Sequence, residues 1–333
     1  MPQNATVSAV QPDQTLYGYF VDGNVCIAFM VLFALTGAVH LGQSIYYRIW
    51  WIIPTMVFCA LGELIGWAGR YWSSKPSAYF ALNPFLMQIC CTILAPSFMA
   101  AGMFFLLGII VNRIGPEYSR MRPRVFSTIF IACDGLSLVI QAIGGASASI
   151  AFQTGKSSLN GTHVMVAGII FQMFAVTLYL LTGIEFLCRY FLDKPHRPRT
   201  TETGQGKTPL GREIRLMLTG LVIATIFLYI RSIYRTIELL GGWEGAIIKN
   251  QTMFDCLDGM PIFVALLTLN ILNPGWLLFS RNTDRGGQTN RYDDTEDLPK
   301  VSNPNSGSAT LSDDLKYSER SPSDEKAWRE NAL

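Results

Sequence analysis

The sequence predicts an all-α integral membrane protein, a polytopic bundle of seven transmembrane helices with its N-terminus outside and its C-terminus in the cytoplasm. Three observations predict it. Half of the 333 residues are hydrophobic and only 15% are charged, against about a quarter charged in a soluble domain. The apolar residues are concentrated between positions 23 and 280, with polar stretches at 1–22 and 281–333. Inside that span, charge-free runs such as Gly23–Tyr47 and Pro84–Val111 exceed the roughly 20 residues that cross a bilayer.

The elements follow in order. Gly23–Tyr47 is the first span, and Ile49–Trp72 the second, although Glu63 and Arg70 interrupt it. Pro84–Val111 is the third. Val125–Phe152 carries only Asp134, and His163–Cys188 only Glu185. Leu216–Leu240 is uncharged as far as Ile230 and then carries Arg231, Arg235 and Glu238. Asp255–Phe279 has acids only at its start. Residues 1–22 form an extracellular segment, 23–280 the membrane domain, and 281–333 a cytoplasmic tail. The tail is rich in Ser, Asp, Asn and Pro and poor in large apolar residues, a composition that predicts disorder.

Orientation comes from the loops. Arg48, Arg113–Arg124 and Arg189–Arg215 contain 1, 4 and 7 basic residues, whereas the alternate loops contain essentially Lys75, Lys156 and Lys249. Lys and Arg mark the cytoplasmic side. The sequons at Asn4, Asn160 and Asn250 all fall on the opposite, outer side, where such acceptors are glycosylated. The seven cysteines lie in or beside apolar segments and read as small buried residues, not as a disulfide framework or metal site. No basic region precedes the first apolar run, so no cleaved signal peptide is expected.

Ionisable groups inside spans are costly and face the bundle interior, where they pair with one another or carry function. Glu63 and Arg70 are two turns apart on one face; Asp134, Ser137 and Gln141 share another, and Arg231, Arg235 and Glu238 a third. With Gln172 and with Asp258 near the start of the seventh span, they predict a polar chamber in the outer half of the bundle, suited to an amphiphile with a charged head. Pro96 is placed to free backbone carbonyls in the third span. Gly144-Gly145-Ala146-Ser147, and Gly37 with Leu41-Gly42, read as close helix packing. His40 reads as a packing or interfacial residue.

Other chemistries are excluded. Gly206-Lys207-Thr208 resembles the end of a P-loop, but Thr201 stands where its first glycine belongs. The seventh span has no Lys for a retinal Schiff base. Three histidines in all, His40, His163 and His196, are too few and too dispersed for an intramembrane metallohydrolase. Nothing suggests a nucleic-acid partner, a cofactor or a metal.

The same residues carry a family resemblance. Glu63-Leu64-Ile65-Gly66-Trp67-Ala68-Gly69-Arg70 resembles the E-x-x-G-Y-x-x-R motif of the fungal RTA-like family of lipid-translocating exporters, with Trp67 where Tyr is usual. Leu94-Ala95-Pro96, followed by Ala100-Ala101, resembles its third-span signature. Asp134 through Gln141 to Gly144-Gly145 is similar to its D…Q…G-G stretch, and Arg231-Ser232-Ile233-Tyr234-Arg235 with Glu238 to its R-x-x-Y-R-x-x-E motif. Asp258, Met260 and Pro261 match the start of its seventh span, while Phe254-Asp255 departs from the usual Glu and Tyr. The resemblance runs in order from about residue 17 to 280.

It implies a non-enzymatic plasma-membrane transporter or translocase of amphipathic lipids or lipid-like toxicants, with sphingoid long-chain bases as the expected substrate and resistance to such amphiphiles as the outcome. Glu63, Glu238 and Asp258 would then meet a cationic head group, balanced by Arg70, Arg231 and Arg235. The competing expectation is a seven-span receptor or sensor, suggested by Asn273-Pro274. Against it, the third span ends in Asn112-Arg113-Ile114 and the outer loops lack a cysteine pair.

Overall fold

The computed structural model describes residues 15–154, 156–196, 210–241 and 247–279. Asn4, the cytoplasmic-tail expectation and the P-loop-like run lie outside them. Among the described residues, seven helices are long and apolar enough to cross a membrane. They are α1 (Gly23–Tyr47), α2 (Trp50–Ser73), α3 (Leu82–Ile114), α4 (Val125–Ala151), α5 (Leu159–Phe191), α6 (Arg212–Leu240) and α7 (Gln251–Leu278). The helices extend beyond several of the apolar runs. α5 begins four residues before His163, and α6 begins four before Leu216, because a helix continues satisfying its own backbone after apolarity ends.

The caps explain where the ends fall. The Asp22 carboxylate accepts from Asn24 N–H at 2.8 Å and starts α1, while Arg48 in the left-handed region (φ 56°) ends it. The Asn250 side chain accepts from Met253 N–H at 3.2 Å and starts α7.

Sequential helices pack side by side, α7 returns to α1, and α3 sits most deeply, touching α2, α4, α5 and α6. The outward faces carry Val31, Leu35, Leu136, Val139, Ile143, Leu181 and Ile226, all exposed. In water these would be a liability; in a bilayer they are the lipid-facing surface. A polar seam joins α1 to α7. His40 Nε2 lies 3.2 Å from the Leu266 carbonyl, Gln43 donates to the Asn270 carbonyl at 3.0 Å, and Asn270 Nδ2 donates to Thr36 Oγ1. Asn273 donates to Gln43 Oε1 at 2.6 Å, so the Asn-Pro pair is part of this seam.

Small residues set the α4–α5 distance. A Cβ on Gly144 would stand 2.3 Å from the Met165 nitrogen, and one on Gly161 the same distance from that of Ala148. Gly42, by contrast, has nothing within 4 Å; it faces open space, and the packing role expected of it is not seen.

Replacing Gly144 with Ala should force α4 and α5 apart and destabilise the purified protein by about 1–3 kcal/mol, visible as a lower midpoint in thermal unfolding in detergent. Gly42→Ala, with free space and better helix propensity, should leave the midpoint unchanged or raise it.

Candidate functional site

The charged residues of α2, α6 and α7 converge in one buried cluster. Arg235 is its centre. Its Nε and Nη2 donate to the two oxygens of Asp258, each at 2.6 Å, its Nη1 donates to Glu238 Oε2 at 2.9 Å, and Nη2 also reaches Thr92 Oγ1 at 2.8 Å. Asp258 is fully buried and Arg235 is 4% exposed. The fork-on-fork pair is the geometry that makes such a burial tolerable. Tyr234 donates to the other Glu238 oxygen at 3.1 Å. A π-helical turn at Asp255–Gly259 aims Asp258 at α6, a distortion often found at functional sites.

Arg231 stands one turn before Arg235. Its Nε is 3.1 Å from Asp258 Oδ1, and its Nη2 donates to the Thr92 carbonyl. That carbonyl is available for a local reason. Thr92 is four residues before Pro96, and proline has no N–H to return to it. α3 nevertheless runs through Pro96 as one helix. The freed acceptor expected from Pro96 is therefore present, and α6 fills it.

Arg70, 1% exposed, forms the outer part of the cluster. It donates to the Tyr19 hydroxyl at 2.5 Å, and Asp255 is 4.0 Å away. The Phe254 ring lies between two guanidiniums, 4.2 Å from Arg70 and 5.0 Å from Arg235. Residues 15–22 pack over this end. Tyr17 meets Phe85 edge-on at 4.9 Å and donates to Gln88 Oε1 at 3.2 Å. Burial pushes its hydroxyl up to about 12, against the nearby Arg70 charge, so it keeps the proton it donates.

Unpartnered atoms remain in the cluster, among them Trp67 Nε1, Arg70 Nε and Asp255 Oδ1, and Glu63 is the carboxyl that lacks a partner on both oxygens. It is also fully buried. Among the described residues the cluster brings together three guanidiniums, on Arg70, Arg231 and Arg235, and four carboxyls, on Glu63, Glu238, Asp255 and Asp258. Glu238 and Asp258 are held by Arg235, and Asp255 faces Arg70. Glu63 is the carboxyl in excess.

Asp134, Gln141 and Gln172 form a second, separate cluster between α3, α4 and α5. Gln172 Nε2 donates to Asp134 Oδ1 at 2.9 Å and to Ser97 Oγ at 2.6 Å, and Gln141 Nε2 donates to Gln172 Oε1 at 3.0 Å. The expectation of one open polar chamber is corrected here. Charges placed in a low dielectric pair and close up. Between the two clusters remains a crevice of about 10 Å³, bordered by Pro96, Gln141, Gln172, Arg231 and Arg235, the size of about one water. The described residues contain no group of His, Cys, Asp and Glu able to hold a metal.

Of the sequon residues, Asn160 is exposed in the first turn of α5, whose Thr162 is buried, and Asn250 is the exposed cap of α7.

The family model described as RTA1 like protein matches residues 56–281, which include every residue of both clusters except Tyr19 and the strap around it. The chain belongs to the RTA1-like family. It is 28% identical over 317 residues to the sphingoid long-chain base transporter RSB1 of Saccharomyces cerevisiae (strain YJM789), covering 88% of this chain and 82% of that one. Protein RTA1 of the same species is 25% identical over 313 residues, 86% of this chain and 93% of the relative. A probable lipid transporter, atnI, of Emericella nidulans is 24% identical over 268 residues, 78% and 67% of the respective chains. No solved structure matches the chain.

Sequence reasoning about this RTA1-like chain missed Thr92 and Tyr19, and took Phe254 only as a departure from the family pattern, without its contacts to Arg70 and Arg235. Thr92 had a signal, its position four residues before Pro96. Tyr19 and Phe254 had none, since their roles depend on packing between segments distant in sequence.

Thr92→Val keeps shape but removes the hydroxyl that Arg235 uses, and should cost about 1.5–3 kcal/mol, the range for a hydrogen bond to a charged group. Glu63→Gln loses no hydrogen bond and should change stability by under about 1 kcal/mol. Thermal unfolding of the two purified variants beside the parent checks both.

Proposed function

We propose that this RTA1-like protein is a translocase of amphipathic lipids in the plasma membrane, acting on sphingoid long-chain bases and conferring resistance to them, and that it works by translocation without catalysis. The observation that carries the reading is Glu63, a fully buried carboxyl with both oxygens unpartnered beside three guanidiniums and three further carboxyls that face one another. A cationic head group supplies what the cluster lacks, one positive charge with several donors. The relative named as a sphingoid long-chain base transporter supports the same substrate class.

The earlier assignment of head-group contacts is narrowed by the geometry. Glu238 and Asp258 are committed to Arg235, so Glu63 is the proposed acceptor. Arg70, Arg231 and Arg235 hold the acids in place, and the Asp134–Gln141–Gln172 cluster keeps α3, α4 and α5 aligned beside it. The N-terminus is proposed to lie outside, with Asn4, Asn160 and Asn250 as the glycan acceptors.

In fungal cells expressing the protein, release of a labelled sphingoid base should accelerate several-fold. Glu63→Gln should abolish the gain at equal surface abundance and equal thermal stability. Unchanged release with the parent protein at the surface would remove the sphingoid-base assignment.

Enzymatic deglycosylation should increase electrophoretic mobility, and Gln at Asn4, Asn160 or Asn250 should each remove part of the shift. Acceptance at sites engineered into the loop around Arg120, with none at these three, would reverse the orientation.

A further inference from the structure

A cavity of about 600 Å³ lies beside the charged cluster, bordered by α3, α4 and the start of α5. It is of the size that houses drug-like or lipid-like ligands, far larger than the crevices within the charged clusters. Phe85, Ile89, Ala148 and Met165 supply buried apolar walls. Gly145 opens onto it, its nearest neighbours being Met165 Sδ at 3.8 Å and Cys90 Sγ at 4.0 Å from where a Cβ would stand. An apolar space of this size does not hold ordered water, which needs polar partners, and it takes up apolar molecules instead. In a bilayer the available filler is hydrocarbon.

The polar part of the lining is confined to one end. Lys156, Ser157 and Ser158 follow α4 there, with Ser149 one helix turn inside. Among the described residues that line the cavity, Lys156 is the one with a formal charge, and none is acidic. Lys156 is exposed, and no described carboxylate forms an ion pair with it. An ammonium at this mouth repels a cationic head group and attracts an anionic one.

We propose that the α3–α4–α5 cavity is a second binding site, for a single-chain anionic amphiphile, its hydrocarbon chain inside the cavity and its phosphate or carboxylate at Lys156, Ser157 and Ser158. The site is distinct from the Glu63 cluster and selects the opposite head-group charge. The two are neighbours. Leu16, Phe85 and Ile89 line both the cavity and the small crevice that holds Arg70, Arg235 and Glu238, so an occupying chain presses on the partition over the cation site.

The test uses the full-length protein in nanodiscs of zwitterionic lipid and a competition assay against a fluorescent octadecyl phosphate. Octadecyl phosphate, octadecanoate, octadecylammonium and octadecanol are the competitors. The phosphate should compete about tenfold more strongly than the ammonium of equal chain length, as expected for one partly exposed charge pair. Octadecanoate ranking with the phosphate identifies anionic charge in general, and ranking with the alcohol restricts the site to phosphate. Lys156→Glu, a change at an exposed side chain, should reverse the order of phosphate and ammonium. Gly145→Leu should weaken all four by filling the cavity. Equal competition by phosphate, ammonium and alcohol, or phosphate binding unchanged in both variants, overturns the proposal. Because no arm depends on sphingoid-base release, failure here leaves the Glu63 reading standing, and failure of that reading leaves this one.

Discussion

Everything near the site depends on one buried ion pair, the two-pronged contact between Arg235 on α6 and Asp258 on α7. Asp258 is fully buried and Arg235 nearly so, and each is tolerable because the other is fixed in place. The pair ties the two helices together, and its surplus donors reach Glu238 and Thr92. Four of the five Arg235 donors are thus engaged by Asp258, Glu238 and Thr92, and none of these contacts reaches Glu63.

Pro96 extends this frame to α3. A proline in a helix interior ordinarily forfeits a backbone hydrogen bond at a cost of about 3 kcal/mol. Here the forfeited acceptor is the Thr92 carbonyl, and Arg231 takes it. One residue type thereby locates the central helix relative to α6, and the same Thr92 presents its hydroxyl to Arg235. Gly66 allows the approach from the other side, since a Cβ there would stand 2.6 Å from the Thr92 methyl. Tyr19, Arg70 and Phe254 close the end of the cluster nearest residues 15–22, where two guanidiniums lie over one aromatic ring.

The bundle was legible in the sequence because lipid imposes a simple rule: each span must be long, apolar and helical. The spacing of Arg231, Arg235 and Glu238 likewise placed them on one face, and Glu63 with Arg70 on another, as found. Whether these faces enclosed space or closed on each other was not legible. That depends on side-chain reach and on the rotation of α7 by its π-helical turn, which no periodicity encodes. Asp134, Gln141 and Gln172 were grouped with the charges by depth alone, but depth does not say which helices touch. The large cavity left no sequence signal, because its walls are ordinary apolar residues drawn from segments distant in sequence.

The most direct measurement is a double-mutant cycle on the central pair, with Arg235→Leu, Asp258→Leu and the double variant assayed by thermal unfolding of purified protein. Each single change removes one charge from a buried network, leaving Asp258 only Arg231 or Arg235 only Glu238, and should cost about 3–5 kcal/mol. The double variant, with both charges gone, should recover at least about 2 kcal/mol relative to the sum of the singles. Additive losses would mean that the two side chains do not meet in the membrane, and would contradict the frame on which the site rests.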